Sequence, residues 1–533
     1  MPKKVVILYD TTAEAADGAN SRSGGDVYAE QTPEAKVRGS RRKIHTINER
    51  YDMTTFLLSL AILVGGYFVY GVLVEKVFGI NTKRKTPAYT LEDGVDYVPM
   101  PAWRVFLIQF LNIAGLGPIF GAIMGVMFGP AAFLWIVFGT IFAGAVHDFV
   151  SAMISLRMGG KSLPEVVGLE LGKTVKHIMR VFSVVLLILV AAVFVITPAG
   201  LLSDLTAWNR AIWIGIIFGY YILATLLPID KLIGKIYPIF GAALLFMAIG
   251  LLGYLLFSGV EIPDGITEGL ASRNGDLPVF PMMFVSIACG AISGFHATQS
   301  PMMTRCLTNE RLARPIFYGA MVAEGLVALV WAAATIAFFG GYEELSAFMA
   351  SEGSNAGAVV EDISVGWLGS VGGALAILGV VAAPITTGDT ALRSARLTAA
   401  DMFSFEQHTI WHRIVASLPI FALCFGVMMI DFNVLWRYFA WSNQTLAVFT
   451  LWACTVYLGH RGKAYVITLL PALFMTVVCV SYILYARQPE GLGLDWGIAL
   501  AAGLAVAAVL TMLFARHIIA FRRRNNKFQK IKQ

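Results

Sequence analysis

Five ionisable side chains stand inside runs of sequence that are otherwise apolar: His147, Asp148, His296, Glu324 and Asp389. A charge in hydrocarbon is costly, so such residues are kept where they pair, carry a proton or face a water-filled path. Imidazole is the side chain that exchanges protons near neutral pH, and His296 lies in the most irregular apolar stretch of the chain. Within twelve residues that stretch gathers Gly290, Ser293, Gly294, His296, Thr298, Gln299 and Pro301. Glycine loosens a helix, and proline removes a backbone donor from it. Broken backbone at membrane depth is tolerated only where it lines a cavity or is buried in protein. Phe284 to Met303 therefore reads as a discontinuous helix lining a substrate site. Ser293, Gly294, His296, Thr298 and Gln299 are its expected substrate contacts. The plainer alternative is a proline-kinked packing helix, in which a neutral His296 bonds a freed carbonyl.

The other groups divide by position. His147 and Asp148 are adjacent, so on a helix they point about 100° apart. They are expected near the cytoplasmic end of their span, either paired with loop arginines or coupling proton movement. Glu324 reads as a packed protonated acid or a proton site. Thr386, Thr387, Asp389 and Thr390 fall in APITTGDTALRS (383–394), read as a cytoplasmic helix end. Their oxygens are hard ligands that sodium would accept or a proton could share. A second glycine-rich stretch, NIAGLGPIFGAIMG (112–125), is broken at Pro118 and adds Asn112, Gly115 and Gly117 to the substrate contacts. Asn443, in WSNQ (441–444), is a further contact or a hydrogen-bonding brace between helices.

These residues need a membrane to position them. The chain is 57% hydrophobic and 14% charged, against about 25% charged in ordinary soluble domains. An all-α polytopic membrane protein follows, with the lipid bilayer as its surroundings. Apolar runs long enough for a bilayer number about thirteen: 53–77, 104–128, 130–155, 180–198, 211–227, 237–258, 280–302, 315–338, 366–392, 413–430, 436–457, 464–485 and 496–517. Every second loop is basic and the alternate loops are acidic, which places the basic loops and the C-terminus in the cytoplasm. Parity then puts the N-terminus outside, although Arg41, Arg42 and Lys43 before the first span argue against it. The net charge of +6 sits mostly in these loops and the tail, so it reports topology and not a nucleic-acid partner. The five cysteines show no paired spacing, so neither a disulfide framework nor a zinc motif is expected.

The two broken helices lie five spans apart and cross in opposite directions. That spacing points to a transporter built from two inverted five-helix repeats. The expected divisions are a polar, disordered extension (1–50), an extra helix with a basic loop (51–103), and repeats at 104–258 and 259–457. Two C-terminal helices (458–517) and a basic tail (518–533) complete the chain. A channel would not need two broken helices in inverted halves. An enzyme would need an ordered catalytic set, and no HExxH or comparable spacing is present. A sensor would need a soluble output domain, and ATP-driven transport would need a P-loop.

Several motifs resemble the carbon starvation protein A family: AGLGPIFGAIMGVMFGP (114–130), AGAVHDF (143–149), the GGKSLPE loop (159–165), IACGAISGFHATQSP (287–301) and SNQTLA (442–447). KTPAYTLEDGVDYVP (85–99) is similar to the family's segment before the core, and the likeness covers about residues 53–515. The resemblance implies an inner (plasma) membrane transporter with a LeuT-like 5+5 inverted-repeat core. It implies uptake of peptides or pyruvate driven by H⁺ or Na⁺, with no other cofactor. In a LeuT-like arrangement a cation would sit among Ala114, Gly115, Thr386 and Thr387. The chain is shorter than the long family members and has one span, not two, before the core. Neither pyruvate nor peptides, and neither ion, is selected by these residues.

Overall fold

The structure is a computed structural model that describes residues 53–94, 96–226, 229–262, 269–353, 355–405 and 410–532. The disorder expected of residues 1–50 lies outside them. Among the described residues, all regular structure is helical. α1 (Thr54–Phe78) leads to the pair α2 (Ala102–Ile113) and α3 (Gly117–Val126), then to α4 (Ala131–Arg157). α5 (Lys173–Leu205), α6 (Arg210–Leu226) and α7 (Ile229–Phe257) follow. Beyond a short helical segment ending at Ser286 come α8 (His296–Thr304), α9 (Glu310–Phe339) and α10 (Ala356–Phe403). α11 (Ile410–Val427), α12 (Phe432–His460), α13 (Val466–Tyr485) and α14 (Trp496–Lys532) complete the chain.

Among the described residues, eight helices are long and apolar enough to cross a membrane, and the α2–α3 pair, bent by 46°, makes a ninth if it is one span. The expected spans at 211–227 and 413–430 form shorter helices, and 436–457 lies within the more polar α12. Burial separates inner from outer helices. The apolar stretch of α4 is 83% buried, whereas those of α1 and α14 are 22% buried and turn their apolar faces outward. α10 packs along α5 and α7, and α12 packs between α5 and α13.

One expectation is corrected here. The segment 383–394 does not end a helix, because α10 runs on to Phe403 and places Thr386, Thr387 and Asp389 in its interior. No proline or left-handed glycine follows the threonines before Ser404, so nothing local stops the helix. α10 is interrupted earlier, at Gly369, whose φ of 69° suits a residue without a side chain.

Ion pairs gather at both ends of α12. On one face, Arg157 makes a two-pronged bond to Glu310, with Nε 3.2 Å from Oε1 and Nη2 2.9 Å from Oε2. The Asn81 amide bonds the same fully buried carboxylate at 2.6 Å, and Arg84 approaches it at 3.8 Å. Lys463 lies beside this group. Burial, then the nearby Arg157 and Arg461, hold its ammonium below the ordinary lysine value. Glu310 thus ties the segment after α1 to the end of α4, and α1 reaches the basic face with its C-terminal end. Arg437 and Glu490 form an ion pair toward the other face, beside a cavity of about 460 Å³ that Asp276 and Arg487 also line.

Candidate functional site

The two breaks meet at the centre of the fold. α2 stops at Ile113 because Ala114 leaves helical geometry (φ −77°, ψ 51°), and α3 restarts with Pro118 in its first turn, where a missing amide costs nothing. The second break runs through residues 287–295, so Pro301 lies inside α8 and not in the break as expected. The unwound segment itself is fixed by Gly290, Gly294 and side chains from other helices. A Cβ on Gly117 would fall 2.1 Å from the Cβ of Cys289, and one on Gly294 would fall 2.4 Å from the Asn443 carbonyl oxygen. A Cβ on Gly144 of α4 would fall 2.2 Å from the Ala291 oxygen. The glycines of three motifs therefore serve one purpose, close approach to unwound backbone.

Backbone freed by the break is satisfied within the protein, as burial demands. Asn443 Oδ1 accepts from the Phe295 amide at 2.7 Å and the Ser293 hydroxyl at 3.1 Å. The Gly294 amide donates to the Asn443 carbonyl at 3.1 Å, and Thr140 Oγ1 donates to the Gly290 carbonyl at 3.0 Å. Asn443 and Ser293, read from the sequence as substrate contacts, are engaged in this bracing. Gln444 similarly donates to the Phe284 carbonyl.

His296 opens α8 at the end of the break, and three helices converge on it. Asp148 of α4 accepts from both sides: its Oδ2 is 2.8 Å from His296 Nδ1, and its Oδ1 is 2.7 Å from His147 Nδ1. On the far side of the ring, His296 Nε2 is 3.3 Å from Glu324 Oε2 of α9. That is ion-pair distance without hydrogen-bond alignment. All four side chains are fully buried. The expected pairing of His147 and Asp148 with loop arginines does not form. The arginine of α4, Arg157, is taken by Glu310, and Asp148 sits about two and a half turns earlier on the helix, against α8.

Chemically this is a row of acid–base groups in a dry interior. With both Nδ1–H groups donated to Asp148, that carboxylate is the stabilised anion and His296 keeps a lone pair on Nε2 facing Glu324. A proton between Glu324 and His296 makes the contact favourable. Its removal leaves two negative charges in low dielectric.

The remaining sequence candidates lie apart. Thr387 Oγ1 bridges from α10 to the first break, 3.2 Å from the Leu111 carbonyl and 2.9 Å from its own Ala383 carbonyl. It would lie 3.6 Å from a Cβ on Gly115, while Thr386 bonds the Ala383 carbonyl of its own helix at 2.8 Å. Ala114 and Asn112 are buried beside this junction. Asp389 belongs to neither group, and its nearest cation is Arg393, 3.8 Å away on the same helix. Thr298 bonds the Phe295 carbonyl at 2.7 Å, and Gln299 bonds the Thr298 hydroxyl at 3.1 Å. Ser300, missed by sequence reasoning, bonds the His296 carbonyl at 2.9 Å and lies 3.5 Å from buried Gln109 of α2.

Apolar helices around unwound backbone and buried acid–base groups define a multi-pass helical membrane protein. The chain belongs to the carbon starvation protein CstA family, whose model matches residues 51–209 and 195–371. A Haemophilus influenzae relative described as an uncharacterized membrane protein is 45% identical, over 54% of this chain and 91% of its own. The peptide transporter CstA of Campylobacter jejuni is 31% identical, over 51% of this chain and 48% of its own. The pyruvate/proton symporter BtsT of Escherichia coli is 29% identical, over 51% and 47%. The matches to these two named transporters span about half of their length. Among solved structures, the Eremococcus coleocola manganese transporter aligns at 13% identity and a TM-score of 0.47, covering 80% of this chain and 98% of that one.

Proposed function

We propose that this chain is a secondary transporter that moves pyruvate or a similar small carboxylate, or short peptides, with protons as the coupling ion. One observation carries the reading: His296, at the start of a half-helix, links Asp148 and Glu324 with no exposure to solvent. In this mechanism Glu324 and His296 share the coupling proton, and Asp148 with His147 holds the imidazole in place. Loading the proton lets α9 and α8 stay together, and losing it drives the two carboxylates' surroundings apart. Substrate would meet the first break, where the N-terminus of the half-helix α3 favours a carboxylate. The paired breaks support a LeuT-like core of two inverted five-helix repeats, with about thirteen spans counted by the bilayer's thickness. The names of the relatives from C. jejuni and E. coli support both substrate classes.

A second reading rests on Thr387, whose hydroxyl reaches the first break. With Ala114, Gly115 and Thr386 it would offer neutral oxygens to Na⁺. Uptake into proteoliposomes separates the two. Labelled pyruvate and dipeptides are offered in turn, with proton and sodium gradients imposed separately. The proton gradient is expected to drive accumulation. Glu324→Gln should lose that accumulation while keeping exchange of substrate across the membrane. Sodium-driven uptake that Glu324→Gln leaves intact would refute the proton reading.

A further inference from the structure

His460 closes α12, and His517 stands 57 positions later in α14. The two helices touch closely there, since a Cβ on Gly459 would fall 2.7 Å from the Ile518 side chain. The two Nε2 atoms face each other at 2.8 Å. Behind His460, its Nδ1 lies 3.0 Å from Glu170 Oε2 on the helix Leu163–Leu171. Glu170 accepts the Nδ1 proton, so the lone pair of His460 is on Nε2 and aimed at His517. The Phe521 ring packs on the His460 ring, with centroids 4.2 Å apart, and fixes its plane.

A carboxylate behind an imidazole is the arrangement that orients histidines for metal binding and raises their basicity. Two imidazole nitrogens at about 2.0–2.1 Å from a tetrahedral metal stand roughly 3.3 Å apart. The present separation must open by about 0.5 Å to reach that value. His517 is exposed, so no packed neighbour needs to be displaced for that opening. Among the described residues no group of three or more His, Cys, Asp or Glu converges on one point. Water would therefore complete the coordination, as suits a reversible site.

We propose that His460 and His517, with Glu170 behind His460, bind a borderline divalent transition-metal cation such as Zn²⁺ and clamp the basic-face end of α12 to α14. The clamp acts on the helix that carries Asn443, and so on the support of the second break. It does not depend on the substrate or the coupling ion.

The test uses the full purified chain in detergent, with Zn²⁺ alone as probe and a competing chromogenic chelator as readout. The unliganded protein is compared with His517→Ala, which removes an exposed side chain and leaves the fold intact. The wild-type chain should bind one equivalent more than His517→Ala and gain thermal stability on binding. His517→Cys, which supplies a thiolate, should restore that equivalent. Glu170→Gln should weaken it by about 10- to 100-fold, and Mg²⁺ should not compete for it. Equal Zn²⁺ binding by wild type and His517→Ala would overturn the proposal, whatever the transport assays show.

Discussion

Asn443→Ala asks how the second break is held. In the native chain Oδ1 accepts from the Phe295 amide and the Ser293 hydroxyl, and Nδ2 lies 3.2 Å from Cys289 Sγ. Alanine leaves the Phe295 N–H buried without an acceptor, at a cost of about 1–3 kcal/mol. The Ser293 hydroxyl can turn toward Cys289, 3.7 Å away, so its loss falls at the low end. Removing buried side-chain volume adds roughly 1 kcal/mol. The expected loss is about 3 kcal/mol. Thr445→Ala on the same helix is the control. Its hydroxyl bonds the Trp441 carbonyl one turn back, at 2.9 Å, and also meets the Cys479 thiol, so its removal should cost about 1 kcal/mol. Reversible unfolding in mixed micelles measures both. Equal stabilities for the two variants would refute the claim that Asn443 braces the break.

Two further outcomes follow from the same geometry. Gly117→Ala sets a methyl group 2.1 Å from the Cys289 Cβ, so folded yield should fall and be partly recovered by adding Cys289→Gly; equal recovery with and without the second change would count against the contact. For topology, Glu352→Cys should react with an impermeant thiol reagent from outside, and Lys161→Cys only after the membrane is opened. The opposite pattern would invert the placement of the basic face.

Both breaks were legible in the sequence because glycine and proline announce themselves where an apolar run should be uniform. The exact unwound residues were not. Pro301 has the stronger local signature, yet the unwinding is set by partners, chiefly Asn443, some 150 residues away in sequence. The meeting of Asp148, His296 and Glu324 was likewise illegible as a group. Each was visible singly as an ionisable residue in an apolar run, but their distances depend on how α4, α8 and α9 pack. Sequence proximity points His147 and Asp148 toward loop arginines, whereas in the fold Glu310 engages Arg157. The length of α10 is not legible because no proline follows the threonines before Ser404 to mark a stop.

The interruption at Gly369 divides α10 into two arms, and rotation about it would act as a lever. No atom lies within 4 Å of where a Cβ would stand there, so the pivot is not wedged. From Gly369 to Phe403 the arm is about 51 Å long at roughly 1.5 Å per residue, and Thr387 stands about 27 Å along it. A swing of about 10° would carry Phe403 some 9 Å and Thr387 about 5 Å. Because the arm lies along α5 and α7, its travel is shared with them. A hinge rotation there would therefore displace the basic-face end in fixed proportion to the shift of the threonines beside the first break.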